Sequence, residues 1–142
     1  DISDEALTVA KKNARVLGTD INFIQLDFLN AVQRNLLPSF DIIVSNPPYV
    51  PGKDKETMKP HVLQYEPATA LFVPDNDPLI FYKAIAEFGK EHLNKNGNIY
   101  CEIYEDLGTA TVQLFKSYDY TTELKKDMQQ KDRMLKVVRS QD

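Results

Sequence analysis

A single cysteine, Cys101, in 142 residues rules out an internal disulfide and any cysteine-rich metal centre. Tryptophan is absent, and no apolar run approaches the roughly 18 residues needed to cross a bilayer as a helix. The five glycines, at 18, 52, 89, 97 and 108, form no G-x-G-x-x-G cluster, so no phosphate-cradling loop can be read. An excess of positive charge is missing too. The formal net charge of −4 argues against a dedicated nucleic-acid binder, although a local basic patch can sit on an acidic protein. His61 and His92 stand far apart without carboxylate or cysteine spacing, so no metal site is expected. The acidic start, Asp1-Ile2-Ser3-Asp4-Glu5, is unlike a secretory signal or transit peptide, and a cytoplasmic protein is expected.

What is present is ordinary for one globular domain spanning 1–142: 42% hydrophobic and 27% charged residues, enough for a core. Residues 3–17 read as an amphipathic helix, with Ala6, Val9, Ala10 and Leu17 on one face. Ser3 is its cap and Gly18 its stop. A short strand is expected over 21–26 and a short helix or turn-rich connection over 28–37. Phe40-Asp41-Ile42-Ile43-Val44-Ser45 is the clearest strand, its β-branched run suited to burial on both faces of a parallel sheet. Seven of the eight prolines fall in 46–78, which excludes a long helix there and implies a long loop.

Beyond it, Asp77-Pro78 reads as a helix start, with Phe81, Ile85, Phe88 and His92 on one face. Asn96-Gly97 marks a turn and 98–104 a strand. A helix over 107–118 carries Leu107, Thr111, Leu114 and Tyr118 in register. Two strands, about 121–126 and 133–139, close the chain. This order predicts an α/β, doubly wound, Rossmann-like sheet ending in an antiparallel hairpin. Ligands in such sheets lie at the carboxyl ends of the strands, here just after Leu26 and Ser45. Cys101, mid-strand, reads as a small core residue, and Lys125, Lys126 and Lys131 as a solvated hairpin face.

Ser45-Asn46-Pro47-Pro48-Tyr49 follows the clearest strand directly. Asn46 offers a carbonyl acceptor and an amide donor pair. Pro47 and Pro48 have fixed φ and no N–H, so the loop is stiff and presents carbonyl acceptors. Tyr49 adds a flat ring with a polar tip. Such a pocket suits a planar NH₂ group, whose two hydrogens can be fixed while the ring packs on its face. Methylation of an amide nitrogen needs the same arrangement, because its delocalised lone pair must be aimed at the methyl group. The alternative is a rigid turn with no chemistry, since asparagine and proline are common loop residues.

Asn46-Pro47-Pro48-Tyr49 after a strand resembles the signature of class I methyltransferases acting on exocyclic or amide nitrogens. The Phe40–Ser45 lead-in, the Glu66-Pro67-Ala68-Thr69-Ala70-Leu71 block, the closing Asp127…Asp132-Arg133 and the opening Asp1-Ile2-Ser3…Ala6-Leu7…Ala10…Asn13-Ala14 resemble one branch. That branch is the HemK/PrmC-type glutamine N5-methyltransferases of peptide chain release factors, and the likeness runs along essentially the whole chain. The resemblance implies S-adenosylmethionine as cofactor and a release factor as substrate. It implies that Asn46 and the Pro47 carbonyl hold the substrate amide, with Pro48 and Tyr49 beside it and Glu66 bracing the substrate loop. Asp27 would accept from the adenine amino group with Phe28 beside the ring, Asp1 would bind the ribose hydroxyls, and Asn46 would also lie against the cofactor.

Asp27 as a turn residue, Asp1 as a frayed end and Phe28 as a core residue are the plain alternatives. The family's glycine-rich loop and N-terminal helical domain have no counterpart here, so the chain resembles a truncated catalytic domain lacking its first two strands. Weak cofactor binding, little activity and a possible dimer through an exposed sheet edge are expected of it alone. A further departure is Asp75-Asn76-Asp77-Pro78, where the family tends to carry a glycine. Rival readings are a nucleic-acid adenine N6-methyltransferase, methylation of a ribosomal-protein glutamine, and a fragment with no catalytic role.

Overall fold

The computed structural model describes residues 1–58 and 60–140. Two compact units are present, Asp1–Leu37 and Pro38–Asp142. In the first, helix α1 (Asp4–Leu17) starts where the Ser3 hydroxyl accepts the Ala6 N–H and stops at Gly18, whose φ of 64° is left-handed. Its buried residues are Leu7 and Ala14, whereas Val9 and Leu17 are exposed, so the expected face is rotated by part of a turn. Helix α2 (Ala31–Arg34) is capped by the Asn30 carboxamide, which accepts the Val32 and Gln33 N–H groups.

Residues 21–26 form no strand, contrary to the sequence reading. A strand requires a ladder partner. Here the Asp1 ammonium donates to the Ile24 carbonyl, the Leu26 N–H to the Asp1 carbonyl and the Gln25 side-chain amide to the Ile2 carbonyl. That is a rung, too short for a sheet.

The second unit is built on a four-stranded sheet. Its strands are β1 (Phe40–Ser45), β4 (Leu93–Glu102), β5 (Tyr120–Lys126) and β6 (Asp132–Arg139), in the order β1-β4-β6-β5. The β1–β4 pair is parallel and the other two are antiparallel, so the expected closing hairpin is formed. Between β1 and β4 the proline-rich stretch holds only short pieces. These are β2 (Val50–Pro51) paired with β3 (Phe72–Val73), a 3₁₀ turn at Gly52–Thr57, α3 (Pro60–Tyr65) and α4 (Ala68–Leu71).

Helices α5 (Ile80–His92) and α6 (Gly108–Ser117) cover one face of the sheet. The core lies between them: Ile85 and Phe88 from α5, Phe115 from α6, and Ile99, Leu135 and Val137 from the strands. Full burial of each such side chain contributes roughly 1.5–3 kcal/mol. The opposite face stays open, with Ile42 at 59% and Val44 at 76% exposure. The β-branched run of β1 is therefore covered on one face and not on both. The run reports strand propensity, which does not depend on a second layer.

Helix α5 also begins later than expected. Its first residue is Ile80, and Asp77 serves from outside it, taking the Ile80 N–H on its carbonyl and pairing with Lys83 at 2.7 Å through its carboxylate. On α6 the buried positions are Gly108, Thr111 and Phe115, so Phe115 takes the place expected of Leu114. At the end of α5, Arg139 donates to the carbonyls of Gly89 and Lys90, satisfying groups that a helix terminus leaves open.

Gly89 is where α5 comes down on the sheet. A Cβ there would lie 2.6 Å from the Tyr120 hydroxyl and 2.8 Å from Ile99 Cδ1. Tyr120 cannot swing aside without losing its 2.9 Å bond to the Ala86 carbonyl. Gly89→Ala should therefore destabilise the fold by about 1–3 kcal/mol, despite alanine's better helix propensity. Urea denaturation reads this directly, and an unchanged or raised midpoint would refute the tight approach.

Candidate functional site

Parallel register places the site. Val44 lies opposite Tyr100 and Ser45 opposite Cys101, so the next residues, Asn46 and Glu102, leave the carboxyl ends of β1 and β4 side by side. Asn46 is exposed, and among the described residues nothing hydrogen-bonds its carboxamide. Pro47 is buried and Pro48 half-buried, which seats the stiff pair against the unit. A cavity of about 420 Å³ opens beside them, lined by Val44, Asn46, Tyr100, Glu102 and Met134 among others.

Tyr49 is held at both ends. Its hydroxyl donates to Glu102 Oε1 at 2.6 Å, and its ring stacks on Tyr104 with centroids 6.0 Å apart and planes 25° apart. Tyr104 in turn donates to Asp54 at 3.2 Å. Burial, with the adjoining Glu102 acceptor and its charge, pushes the Tyr49 hydroxyl up to about 12, while the nearby Arg133 guanidinium pulls the other way. Tyr49 therefore stays a neutral donor across the physiological range.

Arg133 bonds Glu105 at 3.2 Å, Asp127 at 3.5 Å and the Ile103 carbonyl at 3.5 Å, tying the closing hairpin to the end of β4. Asp127 shapes the hairpin turn, and its carboxyl is lowered by the Lys131 and Gln129 N–H groups it accepts and by Arg133. Cys101 is buried, its thiol pushed up to about 12 by that burial, as suits a core residue and not a nucleophile. Glu66 stands exposed at the end of α3, with only its backbone N–H hydrogen-bonded, to the Val62 carbonyl. The described residues hold no cluster of metal-ligating side chains. His92 instead stacks on Phe88 at 4.4 Å, and Lys131 pairs with Glu105.

In the first unit, Asp1 is tied to Leu26, the residue before Asp27. The link is the hydrogen bond from the Leu26 N–H to the Asp1 carbonyl. Asp1 Oδ1 accepts the Ser3 N–H and Asp27 Oδ1 the Leu29 N–H, which leaves Asp27 Oδ2 with no hydrogen bond among the described residues. A cavity of about 390 Å³ lies there, lined by Ile2, Gln25, Leu26, Asp27 and Gln33. Carboxylate oxygens beside such a cavity fit ligand hydroxyl or amino donors, as adenosine carries. Phe28 lies beneath the Arg34 guanidinium, 6.0 Å from its ring centroid, and Arg34 also donates to the Phe28 and Leu29 carbonyls.

Of the residues singled out in the sequence, Asn46, Pro47, Pro48 and Tyr49 stand together at the end of β1, whereas nothing in the sequence pointed to Glu102, Tyr104 and Arg34. The contacts of the first two span 53 and 50 positions, and no local spacing signals them.

Residues 1–71 match the family model described as the methyltransferase small domain. The release factor glutamine methyltransferase of Flavobacterium psychrophilum is 48% identical over 138 residues, covering 96% of this chain and 48% of the relative. The chain thus spans about half the length of the curated relatives it matches. Among solved structures, the ribosomal protein L11 methylase of Lactobacillus delbrueckii subsp. bulgaricus aligns at TM-score 0.64 and 20% identity, covering 99% of this chain and 56% of that one. The protein-(glutamine-N5) methyltransferase of Alicyclobacillus acidocaldarius aligns at TM-score 0.53 and 18% identity, covering 94% and 74%. These likenesses bear out the expected α/β, Rossmann-like class, and the resemblance to release factor glutamine methyltransferases holds.

Proposed function

The chain belongs to the methyltransferase small-domain family, and from that premise we propose that it serves S-adenosylmethionine-dependent methylation of a glutamine side-chain amide in a peptide chain release factor. The observation that carries the reading is Asn46-Pro47-Pro48-Tyr49 at the carboxyl end of β1, beside a cavity and with the Asn46 carboxamide unengaged. The relative at 48% identity that bears this activity in its name supports the choice of substrate.

In this reading the substrate NH₂ gives one hydrogen to the Asn46 carboxamide oxygen and the other to the Pro47 carbonyl. Proline fixes φ at Pro47 and Pro48, which holds the Pro47 carbonyl in place, and the Asn46 carboxamide stands on the residue just before that rigid pair. Tyr49 limits sliding of the amide plane. The cofactor supplies an electrophilic methyl group on sulfur. The residues' part is aim and electrostatics, and no strong base is needed, because the proton can leave from the product. Asp1 and Asp27 would hold the ribose hydroxyls and the adenine amino group, with Phe28 near the ring; Glu66 would steady the substrate loop. The work is cytoplasmic in this reading, where release factors act.

None of the five glycines stands in a cluster, so cofactor binding by these 142 residues should be weak. Calorimetric titration of S-adenosylhomocysteine into the chain and into an extended form of the length of its relatives tests this. Tight binding by the extended form alone is expected. Binding by neither form would sink the cofactor assignment.

A further inference from the structure

Two prolines without N–H groups make the 46–49 segment stiff, yet they remove the donors by which a loop is normally pinned to its surroundings. A stiff segment can still tilt as a body about the end of its strand. Backbone pairing holds its two ends, at Ser45 in β1 and at Val50 in β2, and within it Tyr49 is the side chain engaged in a hydrogen bond.

Glu102 takes the Tyr49 hydroxyl at 2.6 Å, a short charge-assisted bond, and it is anchored on three sides. It stands next to the Cys101 position that faces Ser45 in the parallel pair, and it is paired with Met134 of β6 on the other side. From below, Tyr82 of α5, fully buried, donates to the Glu102 carbonyl at 2.9 Å. The Glu102 backbone is thus fixed at the carboxyl end of the sheet, and its carboxylate springs from that fixed point. Its second oxygen has no hydrogen bond among the described residues, and the group lines the same cavity as Asn46.

We propose that Glu102 is the positioning residue of the site: through the Tyr49 hydroxyl it sets the tilt of the Asn46–Tyr49 segment, and with it the aim of the Asn46 carboxamide at the substrate nitrogen. Glu102 touches neither substrate nor cofactor in this role. It acts through Tyr49, and the ring stack on Tyr104 fixes the remaining rotation. The proposal rests on the amide-methylation reading for what is aimed, but the contact itself can be tested without it.

The experiment is a double-mutant cycle in the extended protein, assayed for methyl transfer to a release-factor glutamine, with Asn46→Ala as the control for the reading. Tyr49→Phe and Glu102→Ala should each lower kcat by about tenfold, the scale of one lost hydrogen bond to a charged group, with KM for S-adenosylmethionine unchanged. The double variant should be no slower than either single one. Glu102→Gln, which keeps an acceptor oxygen, should recover to within about threefold of the parent. Multiplying effects, a fully active Glu102→Ala, or a Glu102→Gln as slow as Glu102→Ala would each overturn the proposal. If the parent itself transfers no methyl to glutamine, the amide reading fails, and Tyr49 decides the contact alone. With ¹³Cζ-labelled tyrosine, its resonance should titrate lower in Glu102→Ala than in the parent, because the Glu102 acceptor and its charge add to the rise that burial causes. An unmoved midpoint would overturn the proposal on its own.

Discussion

Replacing Asn46 by alanine in the extended protein of the length of its relatives should lower kcat for glutamine methylation by about 10²–10³, the effect of removing one preorganised group that acts on the reacting centre. The size follows from what the amide nitrogen lacks. Its lone pair is shared with the carbonyl, so the rate depends on holding both hydrogens while the nitrogen faces the methyl group. Asn46 is an exposed residue at the end of β1, with no structural hydrogen bond among the described residues. Stability should therefore change by less than about 0.5 kcal/mol, as for surface positions generally. Steady-state methylation and urea denaturation of the same variant separate the two effects. An Asn46→Ala protein that is folded and turns over within threefold of the parent would remove the residue from the mechanism.

The largest stability effect should come from Phe115→Ala, at about 3–5 kcal/mol. Phe115 is fully buried and meets Tyr120 edge-to-face, with centroids 5.9 Å apart and planes at 74°. Through Tyr120 it also bears on α5, since that hydroxyl bonds the Ala86 carbonyl. Truncation leaves a void where α5, α6 and β5 meet, and the tightly built Gly89 contact beside it limits collapse into the space. Against a total stability of about 5–15 kcal/mol for such a domain, the loss is a large share. Urea denaturation should show a strongly lowered midpoint with an unchanged slope. A cost below about 1 kcal/mol would mean that this junction is not the core.

Some of this was legible in the sequence for local reasons. Ser3 and Gly18 bound α1 because a hydroxyl cap and a left-handed stop are decided by neighbouring residues. Asn46-Pro47-Pro48-Tyr49 announced a rigid acceptor-rich turn because proline's constraint is intrinsic. The proline-rich 46–78 stretch held no long helix for the same reason.

What was misread depends on partners elsewhere in the chain. Residues 21–26 have strand composition but only a rung with residues 1–2. Ile42 and Val44 are β-branched yet exposed, because burial of a second face is a matter of layers and not of propensity. Asp77 resembles a cap in the sequence, but its carboxylate is drawn to Lys83. Glu102 was invisible because only the β1–β4 register brings it to Tyr49.

The most direct test of the central claim is product analysis of methyl transfer. The extended protein would be given S-adenosylmethionine with an isotopic methyl group, a release factor and an adenine-containing oligonucleotide in one reaction, and each would be examined by mass spectrometry. The label is expected on one glutamine side chain of the release factor, lost when Asn46 is alanine. Label on adenine, or label on the release factor that persists in Asn46→Ala, would contradict it.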